Sequence, residues 1–218
     1  MADMKIPRAT AKRLPIYYQY LNILADAGQK RISSSEFAAG VKVDPRTIRR
    51  DFSHFGTLGK RGYGYDVADL LAFFKKILKQ DQVTKVALVG VGNLGHALLN
   101  FNFHRDNNIA IRAAFDIDPA VVGTTIDDIR VYPLTELQNQ LQEQAIKVVI
   151  LTVPEAAAQT VTDQLIAAGV EGIMNFTPTR INVPATVIVQ NVNLTSELQT
   201  LIYFLNHRSL DQQGTNKE

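Results

Sequence analysis

The chain contains no cysteine, which excludes disulfide bonds and every metal site that needs a thiolate ligand. Its four histidines, His54, His96, His104 and His207, are scattered without the spacing of a ligand set, so we expect no metal site. The sequence also lacks the apolar core of a secretory signal at its start and any apolar run long enough to cross a bilayer. We therefore expect a cytoplasmic protein with no membrane partner.

The composition that is present is ordinary for a globular protein, but its charge is unevenly placed. Of 218 residues, 46% are hydrophobic and 20% are charged, which allows one large or two small domains. Residues 1–82 hold 15 Lys and Arg against 8 Asp and Glu, while the remainder holds 8 against 13. This asymmetry indicates that the first part of the chain is a polyanion-binding module and that the remainder has a different role. A basic surface that only contacts solvent is the common alternative.

A glycine-rich turn stands between an apolar run and a helix-compatible segment. Val86–Val89 is typical of a buried strand, and the next residues place Gly90, Gly92 and Gly95 in the spacing G-x-G-x-x-G. In that context the motif predicts a dinucleotide-binding turn, in which the pyrophosphate contacts free N–H groups at the start of the helix. The alternative is a glycine-rich turn without a ligand. The candidate residues of the turn are Gly90, Val91, Gly92, Asn93, Leu94 and Gly95.

A second strand-like run ends in an acidic residue. Ile109–Phe115 is followed by Asp116, about twenty residues beyond the last glycine, where a carboxylate accepts a hydrogen bond from a ribose hydroxyl. Ile117 beside it is a further candidate contact. The carboxylate would repel a 2′-phosphate, so the pattern favours NAD(H) over NADP(H).

The rest of this region alternates strands and helices, which predicts a parallel sheet with right-handed crossovers. Ligands of such sheets bind at the carboxyl ends of the strands. We therefore expect two loops to face the nicotinamide half, although proline also ends strands for purely structural reasons. Their residues are Thr152, Val153 and Pro154, and Asn175, Phe176, Thr177 and Pro178.

The N-terminal third has the pattern of a helix-turn-helix. A helix is predicted from about residue 10 to 27, and the capping box of Ser33 and Glu36 begins a second one. Asp44 and Pro45 are a good N-cap and first residue for a third helix, which runs to about Phe55. We expect this helix to enter the major groove of DNA. Its exposed candidates are Arg46, Thr47, Arg50, Ser53 and His54, with Arg49 at the flank.

The glycine-rich stretch 56–65 follows this helix and carries positive charge at Lys60 and Arg61. It predicts a β-hairpin wing that contacts phosphates or the minor groove, with Tyr63 as a further candidate. The alternatives are a flexible linker for the glycines and a solvated helix face for the arginines. A further helix from 67 to about 79 completes a winged helix-turn-helix domain.

The last helical segment, about 195–207, is apolar around much of its circumference. A helix of this kind needs more than one surface to bury against, so we expect it at a subunit interface. The predicted organisation is α/β: a winged-helix domain over 1–80, a Rossmann-like nucleotide-binding domain over 83–192, a swapped dimerisation helix over 193–208 and a disordered tail over 209–218.

Together these motifs resemble the family of bacterial redox-sensing repressors called Rex. The resemblance covers about residues 5–207 and implies a homodimer that binds an inverted-repeat operator in double-stranded DNA and represses fermentative and respiratory genes. It implies that NADH releases the protein and that NAD+ permits binding. The segments that carry it are RLPIYY (13–18), IRRDFSHFG (48–56), GKRGYGY (59–65), GVGNLG (90–95), AFDID (114–118), NFTP (175–178) and LTSEL (194–198).

The sequence departs from this family at three positions. Many members have Arg, Tyr and Asp where this chain has Gln19, Phe101 and Asn193, and those residues are thought to exchange hydrogen bonds as NADH binds. Charge-assisted hydrogen bonds are about twice as strong as neutral ones. Either the coupling uses other contacts, or the response to NADH is weaker.

Two other functions compete with this interpretation. An NAD-dependent dehydrogenase is disfavoured because a nucleotide domain over 83–192 leaves no catalytic domain, and neither His54 nor His96 is placed as a proton donor. The other is a repressor with a different ligand, such as coenzyme A or another nucleotide.

Overall fold

The computed structural model describes residues 6–56, 58, 63–101 and 108–207. This part of the chain divides into two compact units. The first runs to Val83 and includes Asn108, and the second holds Thr84 to Phe101 and the chain from Ile109 onward.

Within the described residues, the first unit contains four helices and a two-stranded sheet, and the second contains a seven-stranded sheet with helices. The helices are α1 (Arg8–Asp26), α2 (Ser34–Val41), α3 (Pro45–Ser53), α4 (Val67–Ile77), α5 (Asn93–Leu99), α6 (Leu137–Glu143), α7 (Glu155–Ala167) and α8 (Leu194–Asn206). The strands are β1 (Arg31–Ile32), β2 (Tyr65–Asp66), β3 (Thr84–Val89), β4 (Ile109–Asp116), β5 (Thr125–Ile126), β6 (Ile129–Pro133), β7 (Val148–Leu151), β8 (Gly172–Asn175) and β9 (Ile188–Asn191).

The helices of the first unit begin at the predicted caps. The Ser33 side chain accepts from the Glu36 N–H and the Glu36 carboxylate accepts from the Ser33 N–H, so the predicted capping box starts α2. Asp44 caps α3 by accepting from the Arg46 N–H at 2.7 Å. The core of this unit is aromatic, with Tyr17, Phe37, Phe52 and Phe74 buried in mostly edge-to-face contact.

The small sheet of the first unit pairs the end of the predicted wing with a segment that lies outside it. Arg31–Ile32 pairs antiparallel with Tyr65–Asp66, so the strand that begins at the last residue of the glycine stretch pairs with the segment before α2. Strand β1 was not predicted, because two residues carry too little alternation to indicate a strand. The hairpin tip, including Lys60 and Arg61, lies outside the described residues.

The sheet of the second unit has the order β5-β6-β4-β3-β7-β8-β9. All its pairs are parallel except the edge pair β5–β6, which is an antiparallel hairpin. The predicted Rossmann-like parallel sheet is therefore confirmed, with one antiparallel edge added. Strands β3, β4, β7 and β8 hold the core between helices on both faces.

The end of α3 differs by two residues from the prediction. The last strand runs over Ile188–Asn191, and α3 ends at Ser53 rather than at about Phe55.

The terminal helix α8 buries none of its residues within the chain. All seven large apolar side chains from Leu194 to Leu205 are at least 47% exposed. Within the described ranges, no helix is long and apolar enough to span a membrane, and no three His, Asp or Glu side chains gather as a metal site.

Candidate functional site

The glycine turn after β3 is tight at both of its ends. Gly90 has a φ of +98°, and a Cβ there would lie 2.8 Å from the carbonyl of Thr152. A Cβ on Gly95 would lie 2.0 Å from the Gly90 oxygen. Only glycine fits either position, the first for its backbone conformation and the second for the contact between helix and turn.

The middle glycine leaves space in front of the turn. A Cβ on Gly92 would meet no atom within 4 Å, and Gly92 caps α5 without a side chain to satisfy the N–H groups of its first turn. Asn93 and Leu94, in that turn, are exposed, whereas Val91 is buried beneath it. The open space and the N–H groups are the features that a pyrophosphate requires.

Asp116 is held by backbone N–H groups at the end of β4. Its Oδ2 accepts from the Val91 N–H at 2.6 Å, and its Oδ1 accepts from Ile117 and Asp118 at 2.7 and 2.9 Å. A carboxylate offers about four acceptor sites, so one site on Oδ2 is left for a ribose hydroxyl. Ile117 beside it is 78% exposed.

The loop after β7 contacts the turn directly. The Thr152 hydroxyl donates to the Gly90 carbonyl at 2.6 Å, and the Thr152 N–H donates to Val89 at 2.9 Å. Val153 is half-buried against the core, and Pro154 precedes the first residue of α7. Thr152 therefore fixes the position of the glycine turn, a role that strand-end reasoning did not predict.

The loop after β8 is held by its own side chains. Asn175 and Thr177 are buried, and the Asn175 Oδ1 accepts from the N–H and the hydroxyl of Thr177 at 3.0 and 2.7 Å. The Asn175 amide donates to the Thr179 carbonyl and to Asn191 Oδ1, both at 2.9 Å. Phe176 is half-buried and Pro178 is exposed. In this loop a ligand can reach Phe176 and Pro178 more readily than the two buried polar side chains.

The turn, Asp116 and the first loop are thus joined by direct hydrogen bonds at the carboxyl edge of the parallel sheet. The residues fit a dinucleotide: an open glycine for the phosphates and a carboxylate with one free acceptor site for a ribose.

The predicted recognition helix has a charged outer face. Arg46, Arg49, Arg50 and Ser53 are exposed, whereas Thr47 and His54 are half-buried. The Arg49 guanidinium donates to Ser34 Oγ at 3.3 Å, which holds it at the flank of α3. Burial raises the pKa of the Tyr65 hydroxyl, and the nearby positive charge of Arg49 opposes that rise.

A cationic residue missed by the sequence reasoning stands beside Tyr63. Tyr63 is 71% exposed, and the Arg31 guanidinium carbon lies 5.9 Å from the centre of its ring, within the range of a cation–π contact. Arg31 belongs to strand β1, which was not predicted, so its contact with Tyr63 could be found only from the structure.

Asp51 is a second missed residue, on the inner face of α3. It is 1% exposed and accepts hydrogen bonds from Thr10, Arg13 and Tyr17 of α1. Burial opposes its ionisation, but the hydrogen bonds prevail and lower the pKa of the Asp51 carboxyl. Its spacing in the sequence could have indicated that Asp51 is buried, because it lies in the same helical stripe as the buried Ile48 and Phe52.

The three positions that depart from the family pattern lie apart in the sequence and differ in setting. Gln19 is exposed on α1, and Phe101 is 62% exposed after α5. Asn193 is the N-cap of α8, where its side chain accepts from the Ser196 N–H at 3.0 Å.

Comparisons with sequence families match both halves of the chain. Residues 5–53 match the family described as "Putative DNA-binding protein N-terminus", and residues 81–179 match "CoA binding domain".

Comparisons with whole proteins match nearly the full length. The chain is 64% identical to the redox-sensing transcriptional repressor Rex of Lactiplantibacillus plantarum over 100% of this chain and 98% of the relative. It is 65% identical to the repressor of the same name from Levilactobacillus brevis, over 95% of this chain and 98% of the relative.

Two crystal structures of the protein RSP share the fold. RSP in complex with β-NAD+ and operator DNA has a TM-score of 0.87 and 34% identity, over 97% of this chain and 98% of RSP. RSP in complex with β-NADH has a TM-score of 0.86 and 33% identity, over 96% and 98%.

Proposed function

The chain belongs to the Rex family of redox-sensing transcriptional repressors, and from that membership we propose that it is a homodimer that binds an inverted-repeat operator and leaves it when NADH binds. It is a DNA-binding repressor and not an enzyme. The observation that carries the proposal is the near full-length match to relatives of this name. The proposal includes a cytoplasmic location and the division of the chain into 1–80, 83–192, 193–208 and 209–218.

The coenzyme is held by the edge of the parallel sheet in this proposal. Gly92 and the first turn of α5 bind the pyrophosphate, and the free acceptor site on Asp116 binds a ribose hydroxyl. The negative charge of Asp116 disfavours a 2′-phosphate, which makes NAD(H) the ligand rather than NADP(H).

Discrimination between the two redox states depends on the nicotinamide ring. The ring is positively charged in NAD+ and neutral in NADH, and contacts shared by both forms cannot switch the protein. Val153 and Phe176, both half-buried, supply apolar surface at the carboxyl ends of β7 and β8. An apolar ring site disfavours the charged form, because burying an unpaired charge is costly.

The response at the DNA is geometric. Two recognition helices in a dimer match half-sites about 34–36 Å apart, or a multiple of that spacing. Helix α8, whose apolar side chains are all exposed within one chain, is the dimer contact in this proposal. A change in the spacing of the two copies of α3 weakens binding without altering either helix, and a coupling of about 1–3 kcal/mol is typical.

Two of the three unusual positions bear on the strength of the switch in this proposal. Gln19 and Asn193 can still form hydrogen bonds, but neither carries a charge. We infer that the coupling between NADH and DNA is weaker here than in relatives that have Arg and Asp at these positions.

Coenzyme A is the second candidate ligand, since residues 81–179 match a family described by that name. The β-NAD+ and β-NADH complexes of RSP, a protein that matches 96–97% of the chain, favour NAD(H) over it.

One titration tests the function. Full-length protein is first used to enrich a duplex from a library of randomised inverted repeats, and its affinity for that duplex is then measured with NADH, NAD+, NADPH or coenzyme A. We expect NADH alone to release the DNA. Release by coenzyme A and not by NADH would support the second candidate, and equal affinity in all four solutions would contradict ligand sensing.

A further inference from the structure

The carboxylate of Asp51 is saturated by hydrogen bonds from another helix. Its Oδ1 accepts from Thr10 Oγ1 at 2.8 Å and from Arg13 Nη2 at 2.7 Å, and its Oδ2 accepts from Arg13 Nε and the Tyr17 hydroxyl, both at 2.6 Å. About four acceptor sites are available on a carboxylate, and all are used. This differs from Asp116, which keeps one site for a ligand.

The donors come from a single face of α1. Thr10, Arg13 and Tyr17 are spaced by three and four residues, so they lie one above another along that helix. Arg13 binds the carboxylate with two parallel N–H···O contacts, a geometry that fixes direction as well as distance. Three residues of α1 therefore donate hydrogen bonds to one residue of α3.

The network is not the only contact that holds the two helices together within the described residues. Ile48 and Phe52 already bury α3 against the aromatic core, and apolar contact of that kind is non-directional. Replacing a buried ion pair by apolar side chains is often neutral for stability or even stabilising. What directed hydrogen bonds add is a fixed rotation and register of α3.

That rotation matters because Asp51 adjoins the outer face of the helix. Arg50 precedes it and is exposed, and Arg46 lies one turn earlier on the same side. Hydrogen bonds to base edges need donor–acceptor distances of about 2.7–3.2 Å, so a displacement of roughly an ångström breaks them. Contacts to phosphates tolerate such a displacement better, since they depend mainly on charge.

We propose that Asp51 is a positioning residue for operator recognition: it fixes the rotation of α3 through Thr10, Arg13 and Tyr17 and so sets which bases Arg46 and Arg50 can reach. The proposal rests on the proposed DNA-binding function. It assigns to the network a role in sequence preference, not only in the stability of the first unit.

The test compares affinity for the enriched duplex with affinity for a scrambled duplex of the same composition. Asp51→Asn removes the carboxylate, Tyr17→Phe removes one donor and keeps the aromatic contacts, and Thr10→Val removes the hydroxyl at nearly constant volume. Thr10→Ser keeps the hydroxyl and is the matched control. Leu70→Val, in the same core but outside the network, controls for lost stability.

We expect the ratio of the two affinities to fall by about 5–150-fold for Asp51→Asn, which corresponds to the loss of one good bidentate base contact. Smaller losses are expected for Tyr17→Phe and Thr10→Val. The scrambled-duplex affinity and its salt dependence stay at the wild-type level in all variants, and the ratio stays unchanged in Thr10→Ser and Leu70→Val.

Equal losses on both duplexes, or an unchanged ratio in the network variants, would overturn the positioning role. A lowered ratio in Leu70→Val, measured well below its unfolding midpoint, would assign the effect to stability. If Asp51→Asn does not fold, the affinity ratios of Tyr17→Phe and Thr10→Val decide whether the positioning role holds. Failure of the wild-type protein to enrich any duplex contradicts the proposed function instead, so the two failures are distinguishable.

Discussion

Asp116 Oδ2 accepts a hydrogen bond from the Val91 N–H at 2.6 Å, and this bond ties the end of β4 to the glycine turn after β3. The same carboxylate that is proposed to bind the ribose therefore also orders the turn that is proposed to bind the pyrophosphate. A change at Asp116 should affect both halves of the coenzyme.

Asp116→Asn is expected to weaken NADH binding by about 1.5–3 kcal/mol, the usual strength of a hydrogen bond to a charged group. Because the repulsive charge is also removed, the preference for NADH over NADPH should narrow. Coenzyme fluorescence titrations measure both effects. Asp118→Asn is the matched control, since in the part of the chain that the structure describes the Asp118 carboxylate accepts a hydrogen bond only from the nearby Ala120 N–H. If Asp116→Asn prefers NADH over NADPH as strongly as the wild-type protein does, the proposed contact between Asp116 and the ribose is contradicted.

Alanine at two glycines should separate ligand binding from folding. Gly92→Ala meets no atom of the protein, so we expect an unchanged unfolding midpoint and a loss of NADH binding as the methyl group occupies the pyrophosphate space. Gly95→Ala places a methyl group against the Gly90 oxygen and should cost about 1–3 kcal/mol of stability as well. Thermal unfolding and coenzyme titration of each variant provide the comparison. Normal NADH affinity in Gly92→Ala would show that the phosphates bind elsewhere.

The outer face of α3 is expected to read bases, and the wing to read the DNA backbone. Arg50→Ala should cost about 1–3 kcal/mol on the enriched operator duplex and relax the sequence preference. Lys60→Ala should weaken binding to all duplexes by a similar factor and lower the salt slope by about one. Binding isotherms on operator and random duplexes at several salt concentrations measure both quantities. Equal losses for Arg50→Ala on the two duplexes would refute its role in base recognition.

Helix α8 is expected to hold the dimer together. Leu201 is 63% exposed in the single chain, and Leu201→Asp places a charge in the proposed contact, where it would be buried without a partner. Sedimentation velocity should then show monomers at concentrations where the wild-type protein is dimeric. Gln199→Glu, an exposed change to a charged residue on the same helix, is the control. A dimer that persists in Leu201→Asp would place the interface on another surface.

Acid should weaken the first unit through Asp51. The pKa of its carboxyl is lowered in the folded protein, so its contribution is fully present above the unfolded value of about 3.9 and is lost as the pH falls through the lower folded value. At neutral pH, Asp51→Asn should lower the free energy of unfolding by about 3–5 kcal/mol. Denaturant titrations at pH 7, 5, 4 and 3 should show that this difference shrinks only at the acid end. A difference that is constant with pH would mean that the carboxylate is not stabilised by its partners.

Features that depend on neighbouring residues could be predicted from the sequence. The capping box of Ser33 and Glu36, the start of α3 at Asp44 and Pro45, and the turn at Gly90 all arise from interactions within a few residues. Short-range rules of capping and glycine geometry describe such interactions well. The parallel sheet followed from the alternation of strands and helices.

Features that depend on distant pairing could not be predicted. Asp51 meets donors that are 34 to 41 residues away, and Arg31–Ile32 becomes a strand only because Tyr65–Asp66 lies beside it.

One local feature was also missed. The edge hairpin β5–β6 turns at Asp127 and Asp128, which both adopt positive φ without a glycine. Their sequence lacks the Asn-Gly or Asp-Gly pair that most strongly indicates a two-residue hairpin.

If the exposed apolar face of α8 is the dimer contact, as proposed, the abundance of the protein becomes part of its regulation. If the folded chain is complete only when two copies meet, its stability rises with its own concentration, as for any protein whose native state is an assembly. A cell that holds few copies of the repressor would lose operator occupancy and also expose the unassembled chains to proteolysis. The amount of protein made would then set how long each molecule survives as well as how many promoters it can hold.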